Sequence, residues 1–169
     1  MRMIRVVLAV LAMATLAGCA DRTERSRFLT YDGPEVTRIL VWKDARVMQL
    51  RHHDQVLMQV PINLGFAPDG HKQRRGDGRT PEGHYIIDRR NPNSAFHLSL
   101  GISYPDVNDK LVATEAGDDP GGDIFIHGTG PRFRNAQGDW TAGCIAVTDD
   151  QIEKIYAMVR TGTQISIFP

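Results

Sequence analysis

A histidine and a cysteine, each next to a glycine, are the residues whose types and spacing most favour chemistry. His127 ends a short apolar run and is followed by Gly128, whereas Cys144 follows Gly143 and begins a second apolar run. A thiol needs a lowered pKa or a nearby base to attack a carbonyl at neutral pH, and an imidazole within hydrogen-bonding reach supplies both. The pair therefore predicts a cysteine nucleophile with His127 as its proton acceptor and donor.

The glycine before the cysteine suggests two further features. Gly143 leaves room for a substrate to approach the thiol closely, and the backbone N–H groups of Gly143 and Cys144 could form an oxyanion hole. Alone, His127 fits a packed histidine and Cys144 fits a buried inert thiol. The two together favour catalysis.

The N-terminus restricts the role of Cys144 further. Residues 1–18 contain a short positive start, an apolar run and small residues before Cys19, which is typical of a bacterial lipoprotein signal peptide. An ordinary cleaved signal with a chance cysteine is the alternative. If Cys19 carries the lipid, Cys144 is the second of two cysteines and has no disulfide partner in an oxidising compartment. We therefore expect Cys144 to be either buried and inert or reactive.

Composition excludes some functions and suggests a location. Loss of Arg2 and Arg5 with the signal leaves 18 basic against 20 acidic residues, a formal charge of −2, so no basic surface for nucleic acid is expected. Ala20 rather than Asp follows the lipidated position, which favours the outer membrane of a Gram-negative bacterium and a periplasmic domain. Residues 52–54, His-His-Asp, predict a hairpin turn, because no further cluster completes a metal site. We expect no metal and no cofactor.

A mainly β domain is predicted to position His127 and Cys144. Residues 19–35 predict a flexible tether, and residues 36–169 predict one catalytic domain. Period-two alternation and apolar runs predict a three-stranded meander followed by five further strands. The predicted strands are 37–43, 46–51, 55–63, 85–88, 96–102, 123–127, 145–147 and 164–168.

Two helices and one functional loop complete the prediction. Residues 106–115 predict a short helix. A clear C-terminal helix has apolar residues at i, i+3, i+4 and i+7, begins with a capping box from Thr148 to Gln151, and ends at Gly162. The glycine-rich and charged residues 65–83 predict a long loop of the kind that often carries function.

Two motifs resemble those of a known family. Residues 127–129, His-Gly-Thr, and 143–145, Gly-Cys-Ile, resemble the L,D-transpeptidase catalytic (YkuD-type) domain. Residues 76–83, 96–100, 102–105 and 138–144 resemble its YafK-like murein L,D-transpeptidase/amidase branch, and the resemblance covers nearly all of 36–168. It implies a mainly β (α+β) fold, a YkuD-like β-sandwich with one clear C-terminal helix and a short extra helix.

The resemblance also implies a cysteine acyl-enzyme that acts on peptidoglycan stem peptides containing a meso-diaminoacyl residue. Cys144 matches the family's nucleophile and His127 its proton donor and acceptor. Gly128 matches a position that helps orient the imidazole, and a glycine can do this only through its backbone. Ala142 and Ala146 stand where the commoner pattern has a second histidine and an arginine.

These departures leave three functions open. The first is an L,D-transpeptidase that remodels the cell wall through a Cys144 thioester. The second is a hydrolytic amidase or L,D-endopeptidase that releases a murein-bound lipoprotein or cleaves stem peptides. The third is a non-catalytic lipoprotein that binds peptidoglycan. In each case the expected partners are the stem peptides and, through Cys19, a membrane.

Six further residues are candidates for substrate binding. Guanidinium groups pair well with carboxylates, so the three loop arginines could bind an anionic stem, although solvated loop arginines are at least as common. The other three residues could line the cleft or pack in the core. The six are Arg79, Arg132, Arg134, His97, Tyr104 and Trp140.

Overall fold

The computed structural model describes residues 25–169. The predicted signal peptide and Cys19 lie outside the described residues. The strands are β1 (Arg38–Trp42), β2 (Val47–His52), β3 (Gln55–Pro61), β4 (Gly83–Asn91), β5 (Ser99–Ile102), β6 (Phe125–His127), β7 (Ile145–Ala146) and β8 (Gln164–Phe168), and the helices are α1 (Val107–Glu115) and α2 (Asp149–Met158).

The first three strands form the predicted antiparallel meander. β2 lies between β1 and β3, and Ile39 pairs with Leu50 while Val41 pairs with Met48. All four of these side chains are fully buried, because alternate residues of a strand face the same side. The turn between β2 and β3 has His53 at a φ of 49°, which confirms the hairpin expected at residues 52–54.

All eight strands belong to one curled sheet, in the order β3-β2-β1-β8-β4-β5-β6-β7. β4 links the two halves of the sheet. Residues 83–86 pair with β8. From Ile87 onward the strand pairs with β5, with a register shift between Ile87 and Arg89. Asn63, just after β3, exchanges two backbone hydrogen bonds of 2.9 and 2.8 Å with Ala146 of β7. The chain that follows one edge of the sheet therefore bonds to the other edge.

α2 covers the half of the sheet that carries His127. It packs on β5 and β6, and the predicted capping box between Thr148 and Gln151 is confirmed. Ile152 and Ile155 are fully buried, and each such side chain stabilises the fold by roughly 1.5–3 kcal/mol. The N-terminus of α2 is thereby fixed close to the end of β6.

The predicted end of α2 at Gly162 is wrong. The helix ends at Met158, and Val159 is already extended, with φ −95° and ψ 133°. Val159 is fully buried, so the chain leaves the helix to place this side chain in the core. Arg90 donates to the carbonyls of Val159 and Tyr156 at 2.6 and 2.8 Å, which satisfies two acceptors at the helix end.

The shorter helix and the N-terminal segment are simpler. α1 begins with a capping box from Asp106 to Asp109, at the position predicted for the short helix. Residues 25–35 contain no helix or strand, yet Arg25 contacts Glu153, and the Phe28 ring lies 6.4 Å from that of Tyr156. This part of the predicted tether therefore lies along α2. No helix within residues 25–169 is long and apolar enough to span a membrane.

Buried lysines anchor the long loop between β3 and β4. Lys43 is 2% exposed, and its Nζ donates to Gly70 O at 2.6 Å, to Thr80 O at 3.2 Å and to Glu82 Oε1 at 2.7 Å. Lys72 is 3% exposed and pairs with Asp77 at 2.7 Å. These ammonium groups fix a segment that has no helix or strand of its own.

Replacing the buried ammonium should therefore destabilise the protein. Lys43→Met keeps an apolar stem but leaves Glu82 and two carbonyls without their donor, so we expect a loss of about 2–3 kcal/mol in the free energy of unfolding. Urea denaturation followed by circular dichroism measures this change. Arg38→Gln, which removes an exposed charge, is the control and should change stability by less than about 0.5 kcal/mol. Equal stability of the two variants would contradict the anchoring role of Lys43.

Candidate active site

His127 ends β6, Cys144 directly precedes the neighbouring strand β7, and both residues line one cavity. β6 and β7 are parallel, and His127 pairs with Ala146. Cys144, two residues before Ala146, therefore lies beside Phe125, two residues before His127, and side chains two apart on a strand share a face. The cavity has a volume of about 280 Å³ and is lined by Asn91, Ser94, Ala95, Phe96, Ser99, Asp123, Phe125, His127 and Cys144.

The His127 ring is held in one tautomer. It is 3% exposed, and its Nδ1 lies 2.6 Å from the backbone oxygen of Gly128. A carbonyl only accepts hydrogen bonds, so Nδ1 carries the proton and the neutral ring has its lone pair on Nε2. Burial lowers the pKa of His127, although the bond to Gly128 opposes this. The imidazole is thus a neutral base with a fixed orientation.

Aromatic rings surround the imidazole and account for its desolvation. The Phe96 ring lies 4.4 Å from the His127 ring, and Trp140 approaches it edge-on at 5.7 Å. Phe133 stacks on Trp140 at 4.7 Å. Trp140, expected to line the cleft or pack in the core, lies against the His127 ring.

The surroundings of Cys144 favour the neutral thiol over the thiolate. Its Sγ donates to the backbone oxygen of Asp123 at 3.5 Å, and the side chain is partly exposed. Burial of the sulfur raises the pKa of Cys144, and a hydrogen bond from the backbone of Phe125 only partly offsets the effect. The idea that the nearby imidazole lowers the thiol pKa is therefore not supported.

Gly143 contacts other parts of the protein, which does not favour the two roles expected for it. At φ 128° a Cβ on Gly143 would lie 2.6 Å from the backbone oxygen of Arg79, so the space beside it is filled by protein and not left for substrate. Its N–H donates to Thr141 Oγ1 at 3.1 Å and is thereby engaged away from an oxyanion. Thr141 also donates to Cys144 O at 2.7 Å. Gly143 and Thr141 shape the turn that presents the thiol.

Asp149 is a positioning residue that the sequence did not reveal. Its Oδ1 accepts the N–H groups of Thr129 and Gly130, each at 2.8 Å. A Cβ on Gly128 would lie 2.5 Å from the same oxygen. Asp149 therefore clamps the loop whose carbonyl orients His127. The predicted capping box placed Asp149 in the first turn of α2, but no pattern showed that this turn meets the His127 loop.

None of the six predicted binding residues lines the cavity at Cys144. The Arg79 guanidinium points to His71 O at 3.4 Å, and Arg132 lies over Phe133 while Arg134 is exposed. His97 bonds to Glu153 of α2 at 2.9 Å. Tyr104 is buried and donates to Pro120 O at 3.0 Å. The structure thus brings none of these side chains together with the nucleophile.

The polar residues that do line the cavity come from strand pairing. Asn91 of β4 pairs with Ser99 of β5, and Ser99 pairs with His127 of β6. Alternation in the sequence indicates which residues of one strand share a face, but it does not name the neighbouring strand or the register. Between residues 25 and 169 no cluster of three or more potential ligands is arranged to hold a metal ion.

Residues 36–167 match the L,D-transpeptidase catalytic domain family, YkuD. The chain belongs to this family. It is 28% identical over 110 residues to YafK of Escherichia coli (strain K12), which is provisionally named an L,D-transpeptidase. The match covers 59% of this chain and 39% of YafK, so the chain spans well under half the length of that relative.

Solved structures share the fold of this L,D-transpeptidase domain. The helical cell shape determining protein Pgp2 from Campylobacter jejuni superposes with a TM-score of 0.63 at 23% identity, over 85% of this chain and 51% of Pgp2. An L,D-transpeptidase from Mycobacterium smegmatis gives 0.54 at 16% identity, over 79% and 59%. The predicted mainly β fold with two helices, and the resemblance to the YkuD-type family, are confirmed.

The raised pKa of the Cys144 thiol predicts how its rate of alkylation depends on pH. With Cys19 replaced by serine, so that only Cys144 is labelled, alkylation by iodoacetamide should keep rising with pH above the range where ordinary thiols level off. The thiolate is the reactive form, and burial delays its appearance. Rates measured from neutral to alkaline pH, with a small unfolded cysteine peptide as the reference, check this. A plateau reached near neutral pH would show a preformed thiolate instead.

Asp149 should act on His127 through the loop between them. Asp149→Ala leaves two backbone N–H groups without an acceptor, so we expect a loss of about 1–3 kcal/mol in stability and a population of the other His127 tautomer. Nitrogen NMR of the imidazole measures the tautomer. Asp149→Asn keeps an acceptor oxygen and should restore the Nδ1–H form. If the alanine variant is destabilised but its tautomer is unchanged, Asp149 does not position the ring.

Proposed function

We propose that this protein is a cysteine-dependent acyl-transfer enzyme acting on peptidoglycan stem peptides, with Cys144 as the nucleophile that forms a thioester. One observation carries the proposal: Cys144 and a buried His127, with its Nε2 lone pair available, line the same cavity. Membership of the L,D-transpeptidase catalytic domain family supports the substrate class.

The first half-reaction transfers an acyl group to sulfur. The Cys144 proton moves to His127 Nε2 while the sulfur attacks a stem peptide carbonyl, because neither group is charged beforehand. The resulting tetrahedral intermediate collapses to a thioester, and His127 returns the proton to the leaving amine. The Cys144 N–H is the donor we assign to the oxyanion, since that of Gly143 is engaged by Thr141.

The second half-reaction releases the acyl group. The acceptor, an amine or water, attacks the thioester and gives a proton to His127. The Cys144 sulfur then leaves and takes that proton. If the acceptor is the amine of another stem, the product is a crosslink, and if it is water, the product is a hydrolysed peptide.

Hydrolysis is the second candidate function. Ala146 is buried and pairs directly with His127, so this position supplies no cation beside the nucleophile. An enzyme that holds its acceptor less firmly favours water. Removal of a lipoprotein from peptidoglycan belongs to this hydrolytic alternative.

The proposed location follows from the N-terminal sequence. We propose that Cys19 carries a lipid and that the domain lies in the periplasm, tethered to the outer membrane. The residues from 25 to 35 that lie along α2 would leave only a short segment between the anchor and the domain.

The function is tested with isolated sacculi. Purified protein should change the muropeptide profile seen by liquid chromatography and mass spectrometry. Cys144→Ala should abolish the change, and His127→Ala should slow it by about 10²–10⁴-fold. His84→Ala, which removes an exposed histidine of β4, is the matched control and should retain activity.

Adding a free amine acceptor separates the two reactions. Transpeptidation predicts an amine adduct in the product masses, whereas hydrolysis predicts the incorporation of water alone. Folded wild-type protein that leaves the profile unchanged would overturn the proposed enzyme and favour a binding protein.

A further inference from the structure

A second row of paired residues runs across the sheet beside the candidate site. Arg89 of β4 pairs with Gly101 of β5, and Gly101 pairs with Phe125 of β6. Ile126 of β6 pairs with Ile145 of β7, so Cys144, which directly precedes β7, continues this row beside Phe125. Since neighbouring strands lie about 4.8 Å apart, a side chain that crosses β5 reaches the vicinity of the thiol.

Gly101 is what allows Arg89 to cross. A Cβ on Gly101 would lie 2.5 Å from Arg89 Cγ and 3.0 Å from its Nε, so any larger residue would displace the arginine. The guanidinium instead lies over the Phe125 ring, 4.5 Å from its centroid. Phe125 lines the cavity with Cys144, so the cation stands at the rim of that cavity.

Asp123 supplies an opposite charge at the same rim. Arg89 Nη2 lies 3.1 Å from Asp123 Oδ1, and Nη1 lies 2.9 Å from Asp88 Oδ2. Asp123 lines the cavity, and its backbone oxygen accepts the Cys144 thiol. Its φ of 55° is unusual for a residue other than glycine, so the chain is turned sharply where this carboxylate sits.

The pair between Arg89 and Asp123 is poorly explained as a stabilising contact. The Arg89 side chain is 43% exposed and that of Asp123 is 85% exposed, and ion pairs this open to water contribute little to folding. Both groups remain free to exchange partners with a charged ligand.

We propose that Arg89 and Asp123 form a subsite for the zwitterionic end of the diaminoacyl side chain in the stem peptide. That end carries a carboxylate and an ammonium on one carbon, separated from the reacting carbonyl by the backbone carbon and three methylenes. The planar guanidinium of Arg89 binds the carboxylate, and Asp123 accepts the ammonium. When the ligand binds, Arg89 and Asp123 release each other and each pairs with the opposite charge of the ligand. The net charge at the rim therefore stays the same.

This inference rests on the proposed function and names the feature of the substrate that is recognised. Position 146, where the family resemblance implied an arginine, holds alanine. Arg89 would supply a cation from β4, three strands away from β7 in the sheet order. The choice among stem peptides would then depend on the side chain of the diaminoacyl residue.

Binding to the inactive full-length chain tests the subsite. Calorimetry with Cys144→Ala compares three tetrapeptides: the meso-diaminoacyl stem, the same stem with its side-chain carboxylate amidated, and the same stem with its side-chain amine acetylated. Each modification should weaken binding by roughly tenfold or more, as expected for a charged hydrogen bond. Circular dichroism of each variant verifies folding.

Two substitutions in this background should separate the two charges. Arg89→Gln should abolish the discrimination against the amidated stem and keep that against the acetylated stem. Asp123→Asn should do the reverse. Arg38→Gln, which removes an exposed arginine from β1, is the control and should preserve both.

The outcomes distinguish this subsite from the proposed function. If Arg89→Gln still discriminates against the amidated stem, or the unmodified stem does not bind at millimolar concentration, the subsite is overturned even where wild-type protein remodels sacculi. If the predicted binding pattern is found but sacculi are unchanged, the proposed enzyme fails and the recognition subsite stands.

Discussion

The hydrogen bond from the buried His127 ring to the Gly128 carbonyl is the contact on which the candidate site depends. It decides which nitrogen can accept a proton, and it does so through the backbone, so the loop itself has to be rigid. Asp149 holds that loop from the first turn of α2. The packing of α2 on β5 and β6 therefore helps to fix the tautomer of His127, a residue of β6 that lies outside both the helix and the loop.

Burial of the pair sets its resting state. Exclusion of water raises the pKa of the Cys144 thiol and lowers that of the His127 imidazole, so burial favours the neutral form of both groups. A neutral thiol is a weak nucleophile, which also makes it slow to oxidise. In the oxidising compartment proposed for this domain, such a cysteine would be protected until a substrate carbonyl is bound.

The elements were largely predictable because their patterns are local. Alternation indicated the β1–β3 meander, and the capping box fixed the start of α2, while its end was mispredicted because burial of Val159 is a tertiary effect. Cys144 and His127 were chosen from their types and neighbours, and the structure places both at one cavity. The oxyanion role of Gly143 and the binding role of the loop arginines were predicted from position along the chain. Position alone does not reveal that Thr141 accepts the N–H of Gly143.

The pairing of Asn63 with Ala146 has an evolutionary consequence. β7 is only two residues long, but it is bonded to β6 on one side and to Asn63 on the other. The short strand that follows Cys144 is thus held by backbone hydrogen bonds on both sides. The exposed residues of the preceding loop, such as Arg132, Arg134 and Gln137, can therefore change among descendants while the thiol stays in place. New ligand preferences can arise there without moving Cys144 or His127.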